Sequence, residues 1–392
     1  MNNNSLSFKQ KSFRLSPMYL FFFTLWGVFL PYLGRFLLAQ GLTEQDVSIV
    51  AAVVTGVNMF APFLFSYFSD LLGRRMIFIR VGYIAVGLLY AATLYGEGFW
   101  YFLFVFGLLG TSLSAVLPQM EAIALDVLGS EKSRYGQIRL WGSAGFVGSV
   151  WVLGIMLTTY SVKILPIIGV CLTVLMFLST FLIKEKPRKT KEQRADDAHS
   201  ASQFTVNWTQ VAILLAVIVF WQFGMAPYNT FFDIYLQRFD YKASTIGFLI
   251  SFGAMCEIGV FFFVASFFKR FSERSLMTVA LALTVLRWFM TYAMPESFIV
   301  ILFAQTLHAA TFGVVHSVAI HRIGHLFPAS KAGLGQGLYV AIGTGFGLSM
   351  GNILAGFFWS GGGMVFLQGA GWALLATLLT WFGFKDEDNL KK

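Results

Sequence analysis

Charge is scarce in this sequence of 392 residues: Asp, Glu, Lys and Arg make up 12% of it, against 57% hydrophobic residues and a mean hydropathy of +0.70. Soluble domains carry about twice that charged share, so a water-facing surface is excluded for most of the chain. Cysteine is nearly absent. Cys171 and Cys256 lie in separate apolar runs, which excludes a disulfide framework and leaves them as packing residues. No metal-ligand spacing is present, so no metal is expected. No glycine-rich phosphate loop occurs, which argues against ATP-driven chemistry, and no Ser-His-Asp or metal-hydrolase pattern supports an enzyme or a cofactor. The net charge of +9 does not point to nucleic acid, because the basic residues sit in short loops between apolar runs. A cleavable leader is not expected either. The first 17 residues are polar and basic, and the apolar run after them is too long for a signal-peptide core and has no small-residue cleavage site.

In place of charge the sequence has apolar runs at about 18–38, 46–68, 76–95, 99–125, 138–159, 163–183, 209–235, 244–268, 276–294, 298–323, 333–359 and 363–384. About 20 residues suffice to cross ~30 Å of hydrocarbon as a helix. With both ends inside, 22 of the 28 Lys and Arg residues fall in inner segments, and only Arg35, Arg139, Lys163, Arg238, Lys242 and Arg287 do not. That bias orients the chain with both termini cytoplasmic. The stretch 184–208 is charged, Ser-rich and poor in apolar residues, so it reads as a flexible inner linker. It divides the runs six and six. Gly27 to Tyr32 is echoed by Gly224 to Tyr228, and the loop Ser69 to Arg75 by Phe268 to Arg274, the mark of an internal repeat. The expected fold is an all-α membrane protein of twelve transmembrane helices in two pseudo-symmetric six-helix halves, 1–183 and 209–392. Paired six-helix repeats with a site at midplane are the logic of many secondary transporters.

A charge at membrane depth is costly, so it pairs or lines a watery cavity. Glu121 and Arg139 stand nine residues before and after Ser130, the middle of a short turn, which places them at one depth on adjacent helices. They are the candidate substrate site, with Trp141 as an aromatic surface beside them. An Arg fork can grip a carboxylate bidentately. Gly142, Gly145, Gly148 and Gly154 follow as close-packing residues. Glu257, Arg287 and His308 fall near one level in the second half by the same count. His308 can change charge near neutral pH; Glu257 with His308 is the candidate proton carrier and Arg287 its tuner. Arg35 and Asp233, at corresponding ends of repeat-related runs, are a candidate outer gate. His316, His321 and His325 do not share one helix stripe with His308, and no metal is assigned to them.

Asp70-Leu71-Leu72-Gly73-Arg74-Arg75 resembles the G-x-x-x-D-R-x-G-R-R loop of the major facilitator superfamily, with Ser66 for the first Gly and Leu71 for the first Arg. The resemblance implies a conformational latch at Asp70, Arg74 and Arg75. Tyr135-Gly136-Gln137-Ile138-Arg139-Leu140-Trp141-Gly142-Ser143 is similar to the fifth-span motif of the phenylpropionate permease group, in the lactose-permease-like branch, and Leu286-Arg287-Trp288 and the stretch Leu307 to Phe312 fit that group too. In the branch, an acid on the fourth span and an Arg eighteen residues later hold the substrate, which implies that role for Glu121 and Arg139. The branch's acid, Arg and His on spans eight to ten have counterparts in Glu257, Arg287 and His308. Its proton-carrying acid is replaced by Thr311, a Lys by Gln305 and an Asp on the seventh span by Asn229, so its proton route and galactoside specificity do not carry over. The resemblance implies proton-coupled uptake of a small solute such as 3-phenylpropionate by a monomer in the cell inner membrane. A saccharide or nucleoside symporter, an efflux antiporter and a non-transporting receptor remain as alternatives. The absence of Pro between Arg139 and Leu157 counts against efflux.

Overall fold

A computed structural model describes residues 7–183, 185, 206–328 and 331–385, and these contain helices and no strand. The predicted linker at 184–208 lies outside the described residues except for Glu185 and residues 206–208. The chain divides into two compact units, Met1–Arg188 with Tyr241–Ser251, and Lys189–Asp240 with Phe252–Lys392.

The first unit begins with α1a (Phe8–Phe29), which bends by 48° into α1b (Leu33–Ala39). The second span is likewise bent, into α2a (Glu44–Gly56) and α2b (Ala61–Leu72). Then come α3 (Arg75–Ala92), α4 (Phe99–Leu128), α5 (Tyr135–Met156) and α6 (Leu165–Ser179). The second unit holds α7 (Trp208–Gln237), α8 (Ala243–Arg270, whose start clusters with the first unit), α9 (Glu273–Ala293), α10a (Phe298–Thr306), α10b (Val315–Leu326), α11a (Ala332–Leu338), α11b (Leu348–Phe358) and α12 (Met364–Gly383). Nine stretches of the described residues are long and apolar enough to cross a membrane, or eleven when each bent pair counts as one span. One of these, Phe99–Met156, contains both α4 and α5, which brings the number of spanning helices to twelve.

The helix ends follow from local chemistry. Ser7 and Gln10 form a reciprocal capping box that starts α1a at Phe8, ten residues ahead of the apolar run expected from 18. The polar, basic segment from Phe8 on is therefore helical, and it is held. Lys11 is buried and donates to the Leu128 carbonyl (3.1 Å) and to Glu131 (2.7 Å) at the turn between α4 and α5. α2b stops at Gly73, whose φ of +64° is left-handed and favours glycine. Glu185 caps α3: its carboxylate accepts from the backbone N–H groups of Arg75 (2.7 Å) and Met76 (3.3 Å), where free donors and the helix dipole favour an anion. Two wide π-helical turns, Ala309–Val314 and Tyr339–Gly347, interrupt the tenth and eleventh spans, a feature that recurs near functional sites.

Candidate functional site

In the first unit, the carboxylate of Glu121 on α4 accepts from the Tyr135 hydroxyl (3.3 Å), which in turn accepts from that of the buried Tyr19 on α1a (3.3 Å). Arg139 on α5 lies over the ring of Phe23, 3.8 Å from its centroid. Gly142 makes that stack fit, since a Cβ there would come within 2.5 Å of the Phe23 ring and 3.0 Å of the guanidinium. Among the described residues, Glu121 and Arg139 make no ion pair within 4 Å, and the guanidinium donates no side-chain hydrogen bond. A phenol serves the anion and an aromatic face serves the cation. Tyr135, the partner of Glu121, lies four residues before Arg139 on α5. The two expected site charges are thus near each other but not spent on each other. Trp141 is not brought to them. Two residues along a helix turn a side chain through ~200°, and Trp141, 48% exposed, instead lines a cavity of about 540 Å³ with Phe8, Ser12, Pro17, Leu20 and Arg134.

In the second unit, Glu257 on α8, Arg287 on α9 and His308, just before the π-helical turn, do meet. Arg287 is fully buried. Its Nη1 donates to His308 Nδ1 (2.8 Å) and Thr311 Oγ1 (3.0 Å), and its Nη2 to Gln305 Oε1 (3.1 Å). The guanidinium also packs on the rings of Tyr228 (4.5 Å) and Trp288 (4.3 Å), favourable for a desolvated cation. The Tyr228 hydroxyl donates to Gln305, and the Trp221 indole to the Thr311 carbonyl. His308 Nε2 stands 3.4 Å from Glu257 Oε2. These distances fix the tautomer. A guanidinium only donates, so Nδ1 of His308 accepts and its proton sits on Nε2, aimed at Glu257. A second proton on Nδ1 would face the Arg287 N–H. Glu257 supplies the carboxylate of this network. Arg287 Nε and Gln305 Nε2 are buried donors with no acceptor among the described residues.

The loop motif is assembled around one of its two arginines. Arg75 reaches Asp70 (3.7 Å) and Asp126 on α4 (3.3 Å), whereas Arg74 is exposed at the junction before α3. Behind it Ser66, which stands where the superfamily loop has Gly, accepts from Gln119 Nε2 (3.1 Å), and Gln119 accepts from Ser69 (2.7 Å). Arg35 is half-buried on α1b, and Asp233 is buried on α7 with Gln237 Nε2 donating to it (3.0 Å). His316 bonds Tyr339 (2.7 Å).

Sequence reasoning missed Tyr19 and Phe23, which look like any aromatic of an apolar run, and the part played by Gln305 and Thr311 as partners of Arg287. It also missed a second polar cluster: Glu273, at the start of α9, takes Arg322 Nη1 (2.9 Å) on one oxygen and His321 Nδ1 (2.7 Å) and His325 Nδ1 (3.3 Å) on the other. The spacing of four between the histidines, which puts both on one helix face, was the available signal.

Helical spans in two units, with the buried Arg287 and His308 among those of the second, define an integral membrane protein. The chain matches the MFS_1-like family over residues 12–368 and belongs to it. Its relatives are transporters rather than enzymes. It is 28% identical to the "Probable 3-phenylpropionic acid transporter" of Escherichia coli over 353 residues, 86% of this chain and 89% of that one. It is 22% identical to the uncharacterized transporter YwbF of Bacillus subtilis, over 85% of this chain and 83% of that one. The crystal structure of the nucleoside transporter NupG superposes with a TM-score of 0.82 at 17% identity, covering 96% of this chain and all of that one, which establishes the fold as that of the major facilitator transporters.

Proposed function

We propose that the protein is a proton-coupled symporter that takes up a small aromatic acid such as 3-phenylpropionate by alternating access. The observation that carries this reading is the Glu257–His308–Arg287 chain. It holds one carboxylate at the end of a proton-donating imidazole, inside a helical core where an ionised group that did nothing would be selected against on cost alone. In the first unit, Arg139 bears a positive charge backed by the Phe23 ring and not consumed by Glu121. Such a fork fits a solute carboxylate, and the Phe23 ring beside it supplies an aromatic face. Glu121 is held by Tyr135 rather than by the fork, which leaves the fork for the solute. The likeness to the Escherichia coli relative agrees with an aromatic acid, and the NupG fold keeps a nucleoside as the second reading.

The test is reconstitution in liposomes with a weakly buffered exterior, adding 3-phenylpropionate first, then nucleosides and saccharides. Solute-dependent alkalinisation of the exterior that disappears in Arg139→Gln is the expected result. Measurable solute binding without any pH change would overturn symport. A response to nucleosides alone would replace the substrate class.

A further inference from the structure

We propose that Glu273, His321 and His325 form a binding site for a divalent transition-metal ion of the zinc type, apart from the network assigned to transport. Glu273 is 2% exposed, and its Oε1 faces two imidazole nitrogens, His321 Nδ1 at 2.7 Å and His325 Nδ1 at 3.3 Å. All three ligand atoms lie within 4.8 Å of one another. A tetrahedral zinc with bonds of ~2.1 Å sets its ligand atoms ~3.4 Å apart. The cluster reaches that spacing with side-chain shifts of an ångström or so, and both histidines keep more than a third of their side-chain surface exposed. Three lone-pair atoms pointing at one spot need either protons or a cation between them. His321 Nδ1 is hydrogen-bonded to that oxygen and His325 Nδ1 stands 3.3 Å from it, and a metal ion between the three would draw all of them as ligands.

The surroundings are those of a supported site. Arg322, almost fully buried, holds the other Glu273 oxygen at 2.9 Å, so the carboxylate cannot swing away. Arg322 is itself fixed by Gln210 Oε1 (2.6 Å) and the Lys385 carbonyl (3.2 Å) and lies over the Phe384 ring. The His321 ring is stacked on Phe268, 4.2 Å between centroids and 16° between planes. Partners that fix ligand orientation in this way raise metal affinity. His321 and His325 are four apart on α10b, so both rings leave one face of one helix, which is the simplest two-point metal grip a helix offers. With nitrogen and oxygen donors, zinc, nickel and copper fit better than magnesium or calcium, which prefer oxygen alone. The ion would tie the start of α9 to the end of α10b.

The experiment is isothermal titration of the purified, metal-stripped full-length protein in detergent with Zn²⁺, together with thermal unfolding at saturating Zn²⁺. Variants are His325→Asn and His321→Asn; Glu273 is left intact because its loss would strand Arg322. One Zn²⁺ per chain is expected, weakened at least tenfold in each variant, with a Zn²⁺-dependent rise in Tm seen in the wild type and absent from the double variant. His325 is exposed enough for His325→Asn to fold, and its unchanged Tm without metal is the control. Binding of equal affinity in the double variant, or no binding at 0.1 mM Zn²⁺ in the wild type, would overturn the assignment.

Discussion

Replacing Glu257 by Gln separates proton coupling from everything else this residue does. The amide keeps the volume and the acceptor: its oxygen can still take the His308 Nε2 proton across the present 3.4 Å. The stability cost is therefore the difference between a charged and a neutral acceptor, about 1 kcal/mol. What Gln cannot do is take up a proton. For one proton per cycle, a pH gradient of one unit is worth ~1.4 kcal/mol, or tenfold accumulation of solute. Wild-type proteoliposomes under such a gradient should therefore concentrate the solute about tenfold. Those holding Glu257→Gln should stop at equal concentrations inside and out while still exchanging labelled solute for unlabelled solute across the membrane. The assay is radiolabelled uptake with an imposed gradient, followed by counterflow without one. Accumulation by Glu257→Gln with unchanged pH dependence would refute the assignment. Loss of both accumulation and exchange would move Glu257 from proton carrier to structural brace.

The other predictions concern packing and placement. Arg287→Met removes a fully buried donor from His308, Thr311 and Gln305; breaking such a network costs roughly 3–5 kcal/mol, read as a drop in Tm by intrinsic fluorescence in detergent. Gly142→Ala brings a methyl group within 2.5 Å of the Phe23 ring, so Phe23 must leave its place under Arg139; solute KM should rise several-fold with about 1–3 kcal/mol lost in stability. Gly73→Ala meets no atom within 4 Å and should cost only the left-handed backbone, about 1–2 kcal/mol, measured by the same melt and with transport per folded molecule unchanged.

The spans were legible because the bilayer demands long apolar helices, a strong one-dimensional signal. Their internal breaks were not. The bend after Phe29 holds Pro31, Pro62 lies in the first turn of α2b just past the bend near Phe60, and the wide turn Tyr339–Gly347 holds three glycines, whereas Ala309–Val314 has Gly313 alone. Such residues also occur in unbroken membrane helices, so the run alone does not say which of them break it. The start of α1a was missed for another reason. Its first turns are polar, and only the pairing of Ser7 with Gln10 and of Lys11 with Glu131 explains why they are helical. Counting residues from a turn gave depth on a helix but not direction around it. It succeeded for Glu257, Arg287 and His308, which converge. For Glu121 and Arg139 it gave neighbours whose nearest partners, Tyr135 and Phe23, are uncharged. The residues that depart from the branch pattern, Thr311 and Gln305, proved informative, since both hold Arg287.

That last detail bears on the kind of solute. An acid at position 311 would have faced Arg287 directly; with Thr311 there, the nearest carboxylate in the network is Glu257, one imidazole away. With Glu257 ionised and His308 neutral, the network sums to zero charge. With Glu257 protonated, Arg287 leaves it at plus one. In a medium of low dielectric that excess charge is costly. Under the proposed symport, linkage requires proton and solute to favour each other's binding by the same free energy. The proposed symport can be checked on this point: affinity for a carboxylate solute should rise as the pH falls, affinity for a neutral sugar or nucleoside should not, and equal pH dependence for both would refute the coupling.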